Sequence, residues 1–277
     1  VSAGAVMTDQ PATRPIAVID IGTSSIRMAV AELIPLPPEL APSDSGISAK
    51  GPAMDFRMLE ALSQRVSLGK DTFTKGDLSR GTIEECVRVL QSYRRKLDEY
   101  AINRSDQVRV VATSAVREAS NRLAFIDRVY IATGFIVEPI DEAEVHRITY
   151  RSVQPLLKPR KDLPHASSLI TEVGGGSTEI LLIQDGNVAF SHSFRLGSLR
   201  LTQSLKGLKS TRSRRRKLME QEIQRTLESV PDRIPVGKGM HLVALGGDIR
   251  FAARVLLGTP LRERVSELNM SDLAKLI

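Results

Sequence analysis

IAVIDIGTSSIRMAVAEL (16–33) and SLITEVGGGSTEILLIQDG (168–186) are two renderings of one pattern: an apolar strand ending in an acid, a turn of Gly, Ser and Thr, then a second apolar strand. Setting Asp20-Ile21-Gly22 beside Glu172-Val173-Gly174 also places Ser25 against Ser177 and Arg27 against Glu179, without a gap. Two strand-like runs joined by so short a turn form a hairpin. The chain therefore carries the same hairpin twice, once near the start of each half.

The flanks read as alternating strands and helices from Pro15 onward, which makes the chain an α/β protein. PLPPELAPSDSGISAKGP (35–52) is a loop by its Pro, Ser and Gly content. LSRGTIEECVRVLQSYRRKLDEYA (78–101) is the first long helix, with Ser79 as N-cap and Ile83, Val87, Leu90 and Leu97 at helical spacing. VRVVATSAV (108–116) reads as a buried strand, NRLAFIDRVYIATG (121–134) as a helix closed by Gly134, and FIVEPI (135–140) as a short strand. A helix from Asp141 and the loop KPRKDLPHASS lead into the second hairpin. The expected organisation is a disordered leader at 1–14, one domain at 15–140 with a hinge near Pro139 to Asp141, and a second domain at 141–277.

Composition bounds the function. The 277 residues include 39 Lys plus Arg against 32 Asp plus Glu, a net charge of +7, and 42% hydrophobic residues, enough to bury a core. No apolar run approaches the ~20 residues of a membrane span. One cysteine, Cys86, and four histidines exclude an internal disulfide and argue against a Cys- or His-rich metal site, so a reducing, cytoplasmic setting is expected. The basic excess favours anionic partners, but 4% aromatics and no Trp speak against nucleic acid. The run Arg212 to Lys217 reads as the solvated start of a helix, with a track for a polyanion as the alternative.

A strand that enters a Gly/Ser/Thr turn offers several N–H groups and hydroxyls to one point, which suits phosphate oxygens. Asp20 and Glu172, just before the turns, cannot meet phosphate favourably alone, yet can hold Mg²⁺ that bridges to it. Two such hairpins across a cleft would clamp an oligophosphate. Either turn alone could be no more than a flexible connection.

This duplicated arrangement resembles the acetate kinase, sugar kinase, Hsp70 and actin superfold. More narrowly, the chain is similar to the Ppx/GppA family of exopolyphosphatases and guanosine pentaphosphate phosphohydrolases. The resemblance rests on IDIGTSSIRMAVAE, VSLGKDTFTKGDLS, VVATSAVREASNRLAFIDRV, TGFIVEPI, EVGGGSTEILLIQDG, SFRLGSLRLTQ and VALGGDIRFAARVL, in family order. It implies two similar actin-like (ribonuclease H-like) domains with a cleft between them. It also implies hydrolysis of terminal phosphate from polyphosphate, guanosine pentaphosphate or both, with Mg²⁺ or another divalent cation; a homodimer is left open.

By that resemblance, Gly22, Thr23, Ser24 and Ser25 form the first phosphate motif, and Gly174, Gly175, Gly176, Ser177 and Thr178 the second. Asp20 and Glu172 hold the metal. Ser114 and Arg117 lie beside the cleft, although Arg117 could instead pair with Glu118 or another acid. Gly246-Gly247 brings a third helix start to the substrate or merely begins a helix. The water-handling glutamate should come from the segment Ile140 to Ile148, where Glu144 is the candidate and Glu142 the alternative; both could equally sit there as helix-start acids. Glu179 helps position Mg²⁺ or water, or faces solvent at a strand end. His146 receives no catalytic role.

The chain departs from the family pattern at Val145, where a second glutamate is usual, and at Glu172, Ser24, Ser67 and Asp248. A second reading is therefore a regulator that binds polyphosphate or guanosine tetraphosphate and has lost efficient hydrolysis. A third, a phosphotransferase, is disfavoured by ATSAVREASN. The extra helical domain of longer members is expected to be absent from these residues, with reduced processivity on long chains.

Overall fold

A computed structural model describes residues 14–35, 54–157, 167–206, 210–228, 230, 240–258 and 265–274. The expected leader up to residue 13 and most of the expected loops at 35–52 and 158–168 lie outside them.

The first half is a five-stranded sheet in the order β3-β2-β1-β4-β5. Strands β1 (Arg14–Ile21) and β2 (Ser25–Pro35) form the expected hairpin, with Asp20 opposite Arg27. β1 starts one residue inside the span assigned to the leader, where Arg14 donates to Asp106 across 2.6 Å. Ala17, Ile19 and Ile21 on β1, and Ile26, Met28 and Val30 on β2, alternate into the core. β2 pairs on its far side with β3 (Met54–Arg65), which continues into helix α1 (Leu68–Lys75).

Helix α2 (Arg80–Glu99) begins where expected, with the Ser79 hydroxyl accepting from Thr82 N. Its buried face, Cys86, Val87, Leu90, Tyr93 and Leu97, packs on the sheet, and Tyr93 Oη donates to Ile26 O at 2.9 Å. Burying each of these larger apolar side chains contributes roughly 1.5–3 kcal/mol. The segment expected as one strand at 108–116 divides: β4 (Val108–Ala112) runs parallel to β1, and the chain then turns into the short helix α3 (Ser114–Arg117). Helix α4 (Arg122–Thr133) ends at Gly134, whose φ of 71° is the left-handed cap. β5 (Val137–Pro139) closes this sheet.

Helix α5 (Glu142–Leu157) packs Tyr150 and Val153 against the second sheet. That sheet contains β6 (Ser168–Val173), β7 (Thr178–Gln184), β8 (Asn187–Phe194) and β9 (His241–Leu245) in the order β8-β7-β6-β9. It repeats β3-β2-β1-β4 strand for strand and direction for direction. The repeat read in the two hairpins thus extends to the whole sheet, and the chain comprises two similar α/β domains facing a shared cleft. Helix α6 (Ser198–Ser204) follows β8; α7 (Arg212–Glu228) carries the basic run and has no buried residue, as a solvated helix should. α8 (Gly247–Leu257) follows β9, and α9 (Met270–Ala274) follows α8.

Candidate active site

The two turns are built alike down to the backbone: Gly22 N donates to Ser25 O and Gly174 N donates to Ser177 O, each at 2.9 Å. In the second sheet Glu172 stands opposite Glu179, as Asp20 stands opposite Arg27 in the first. Both turns line one cleft of about 170 Å³, together with Asp20, Arg27, Thr113, Ser114, Arg117, Val145, Glu172 and Glu179. The turns also touch. A methyl group on Gly175 would come within 3.1 Å of Thr23 Cγ2, a tight contact, and one on Gly176 within 2.3 Å of Ser114 Oγ and 2.7 Å of the Phe73 ring, so glycine at 176 is required by close approach.

Charge is distributed on both sides of this space. Burial pushes the Asp20 carboxyl up; Arg27 opposes it, and the negative charge of Glu172 adds a smaller upward push. Two carboxylates whose charges oppose each other in a recess are a donor set that a shared divalent cation would relieve. Thr149 Oγ1, from α5, donates to Glu172 Oε2 at 3.2 Å. Arg117 donates from Nη1 to Ile140 O at 2.8 Å and lies 3.7 Å from Glu142, leaving a guanidinium edge on the cleft wall. Of the ion pairs allowed by the alternative reading, the one with Glu118 is not formed, because Arg195 and Arg200 engage that acid, and the one with another acid is, at Glu142.

Glu179 is 5% exposed and lines the cleft, which rules out the reading of a solvent-facing strand end. Its carboxylate is hydrogen-bonded to His146 Nε2 at 2.8 Å and accepts a short bond from Ser193 Oγ.

Several expected site residues are not brought to the cleft wall. Glu144 accepts two bonds from Arg147 at 2.7 Å and one from Arg109 at 3.4 Å. Arg147, then Arg109, hold its carboxyl down at about 2, so it stays ionised and saturated with donors. Neighbouring residues on a helix point about 100° apart, and it is Val145 that faces the cleft. Glu142 is largely exposed and reaches only the outer side of Arg117. The Thr178 hydroxyl is committed to Leu196 O at 2.5 Å. Gly247 opens α8 outside the cleft lining, and a Cβ there would meet nothing.

Other residues enter unforeseen. Arg200 donates from Nε to Gly176 O at 2.7 Å, pairs with Glu118 at 2.6 Å, and lies 3.9 Å from the Phe73 ring centroid. It ties the second turn to α1 and α3 of the first domain. The segments carrying these residues, SFRLGSLRLTQ and VSLGKDTFTKGDLS, are visible as motifs, but their pairing arises only in three dimensions. Among the described residues there is no cluster of three or more His, Cys, Asp or Glu able to enclose a metal. No described helix is long and apolar enough to cross a membrane.

Comparison with known proteins agrees with this architecture. The model of the Ppx/GppA phosphatase family matches residues 47–277. A bifunctional 3-dehydroquinate synthase/phosphatase of Fusobacterium nucleatum is 29% identical over 186 residues, covering 67% of this chain and 25% of its own. Exopolyphosphatase 2 of Mycobacterium tuberculosis is 29% identical over 193 residues, covering 68% of this chain and 54% of its own. The chain thus spans between a quarter and about half the length of these relatives. Among solved structures, the Aquifex aeolicus member of the Ppx/GppA family is 27% identical with a TM-score of 0.61, over 88% of this chain and 70% of that one. An exopolyphosphatase from Cytophaga hutchinsonii, 24% identical, shares the fold with a TM-score of 0.75 over 95% of this chain and 78% of its own.

Proposed function

We propose, for a chain that belongs to the Ppx/GppA phosphatase family, that it hydrolyses the terminal phosphoanhydride bond of an oligophosphate gripped between its two turns. The observation that carries this reading is the matched pair of turns, with the same backbone bond in each, lining one cleft with Ser114 and Arg117. The cleft's volume of about 170 Å³ falls below the roughly 300–1,000 Å³ of sites that enclose a whole small molecule. It suits the end of a phosphate chain, with the remainder outside. Inorganic polyphosphate is the substrate this favours, and guanosine pentaphosphate is the alternative.

In this mechanism the turn N–H groups and hydroxyls bind phosphate oxygens, and Arg117 and Arg27 add cationic contacts. Glu179, buried on the cleft wall, takes the water-orienting role that the family resemblance implies for Glu144. Asp20 and Glu172 would hold Mg²⁺, which supplies charge neutralisation on the phosphate oxygens; a site of two carboxylates completed by substrate oxygens suits this ion. Phosphate release from short polyphosphate, long polyphosphate and guanosine pentaphosphate, with Mg²⁺ and with chelator, tests the proposal. Metal-dependent release supports it, and absence of release from all three overturns it.

One observation favours a second reading, a binding protein without efficient turnover. Val145 occupies the cleft wall where α5 would supply a carboxylate. Submicromolar binding of polyphosphate without phosphate release is the outcome that selects it.

A further inference from the structure

We infer that His146 is a positioning residue for hydrolysis, fixing the Glu179 carboxylate so that one oxygen is free to hold water. The inference rests on the hydrolytic reading above and adds a role to a residue that neither the motifs nor the sequence pattern single out.

A carboxylate as buried as that of Glu179 needs hydrogen-bond donors. Both of its donors converge on one oxygen: His146 Nε2, at 2.8 Å, and Ser193 Oγ both meet Oε2. Oε1 has no protein partner among the described residues, and the residue lines the cleft. With a carboxylate as acceptor, the imidazole carries its proton on Nε2 and donates it. Pinning Oε2 from two sides removes rotation of the carboxylate and sets the direction of Oε1.

The helix is matched to the sheet for this task. His146 and Thr149 are three residues apart and so share a face of α5. His146 engages Glu179 while Thr149 donates to Glu172 Oε2, and Glu172 and Glu179 are directly opposed on β6 and β7. One face of one helix thus orients a cross-strand pair of carboxylates. The helix contributes no acid of its own to the cleft, because Val145 is the residue it presents there. Its contribution passes through His146 and Thr149.

The test uses the full chain with His146→Ala and His146→Gln. A misdirected catalytic group costs up to about a hundredfold in rate. His146→Ala should therefore lower kcat about ten- to a hundredfold while KM for short polyphosphate stays within about twofold. His146→Gln, whose amide can donate to the same oxygen, should recover part of the loss. Independently of turnover, ¹⁵N NMR should show the Nε2-protonated tautomer of His146 in the wild type and loss of that preference in Glu179→Ala. An unchanged kcat in His146→Ala overturns the inference. So does a loss of kcat and thermal stability together that Gln does not repair, or an Nδ1-protonated imidazole in the wild type. If the wild type hydrolyses none of the three substrates, it is the hydrolytic reading that fails, and the tautomer still decides the His146–Glu179 contact.

Discussion

Gly197 packs directly on the backbone of the second turn, and Gly197→Ala makes that contact quantitative. The added methyl group would lie 2.5 Å from Gly175 C, Gly175 O and Gly176 C, all backbone atoms of the second turn. Ordinary contact begins near 3.4 Å, so the turn or the start of α6 must move by close to an ångström. Neither is free to move: Ser198 N donates to Gly174 O at 3.0 Å, and Leu199 N and Arg200 N donate to Gly175 O at 3.0 and 2.9 Å. The backbone at Gly197 is extended, with φ of −136°, so the effect is purely steric. Overpacking of this kind costs about 1–3 kcal/mol. Taken up as displacement of the turn, that cost weakens phosphate binding roughly 5- to 150-fold, since each 1.4 kcal/mol is about tenfold. Calorimetric titration with a short polyphosphate, alongside thermal unfolding, measures both terms. Gly247→Ala is the control, because its Cβ meets nothing within 4 Å, and it should bind as the wild type does. Wild-type affinity and melting temperature in Gly197→Ala would refute the packing argument.

Three further outcomes are expected. Arg200→Ala removes the Glu118 ion pair, the bond to Gly176 O and the contact with Phe73, and should cost about 1.5–3 kcal/mol by denaturant unfolding; Arg200→Lys should restore little, lacking the planar fork. At Asp71, burial raises the carboxyl, but bonds from Ser79 and Thr82 outweigh it and hold it below the ordinary range. Its contribution is therefore full above about pH 4 and is lost as pH falls through the lowered value; Asp71→Asn should lose about 1–3 kcal/mol at neutral pH and show a flatter acid limb in a stability-against-pH series. Asp20→Asn or Glu172→Gln should raise the Mg²⁺ concentration needed for half-maximal phosphate release.

The fold was readable where the chemistry is local. A turn of Gly, Ser and Thr between alternating apolar runs announces each hairpin, and Ser79 and Gly134 mark the helix ends by capping alone. β3 carries no strand signal, because MDFRMLEALSQR holds no Val, Ile or Thr and reads as helix-forming; its pairing with β2 decides its conformation. β4 likewise ends at Ala112, as the chain turns into α3; the boundary is marked only by Thr113-Ser114, which read equally well as strand residues between two apolar stretches. At the site, the turns and their acids follow from the repeat. The rotational setting of α5 does not: whether residue 144, 145 or 146 faces the cleft depends on how Tyr150 and Val153 seat against the second sheet. His146 meets Glu179 across 33 positions of sequence, beyond the reach of any local pattern.

Hydrolysis in this cleft depends on which carboxylate meets the water, Glu179 or Glu144. Phosphate release from short polyphosphate with Mg²⁺ should be measured for Glu179→Gln and Glu144→Gln beside the wild type. Glu179→Gln should lose at least about a hundredfold, and Glu144→Gln, whose side chain is bound to Arg147 and Arg109 away from the cleft, should stay within about threefold of wild type. Loss of turnover in Glu144→Gln with Glu179→Gln unaffected would contradict the assignment to Glu179.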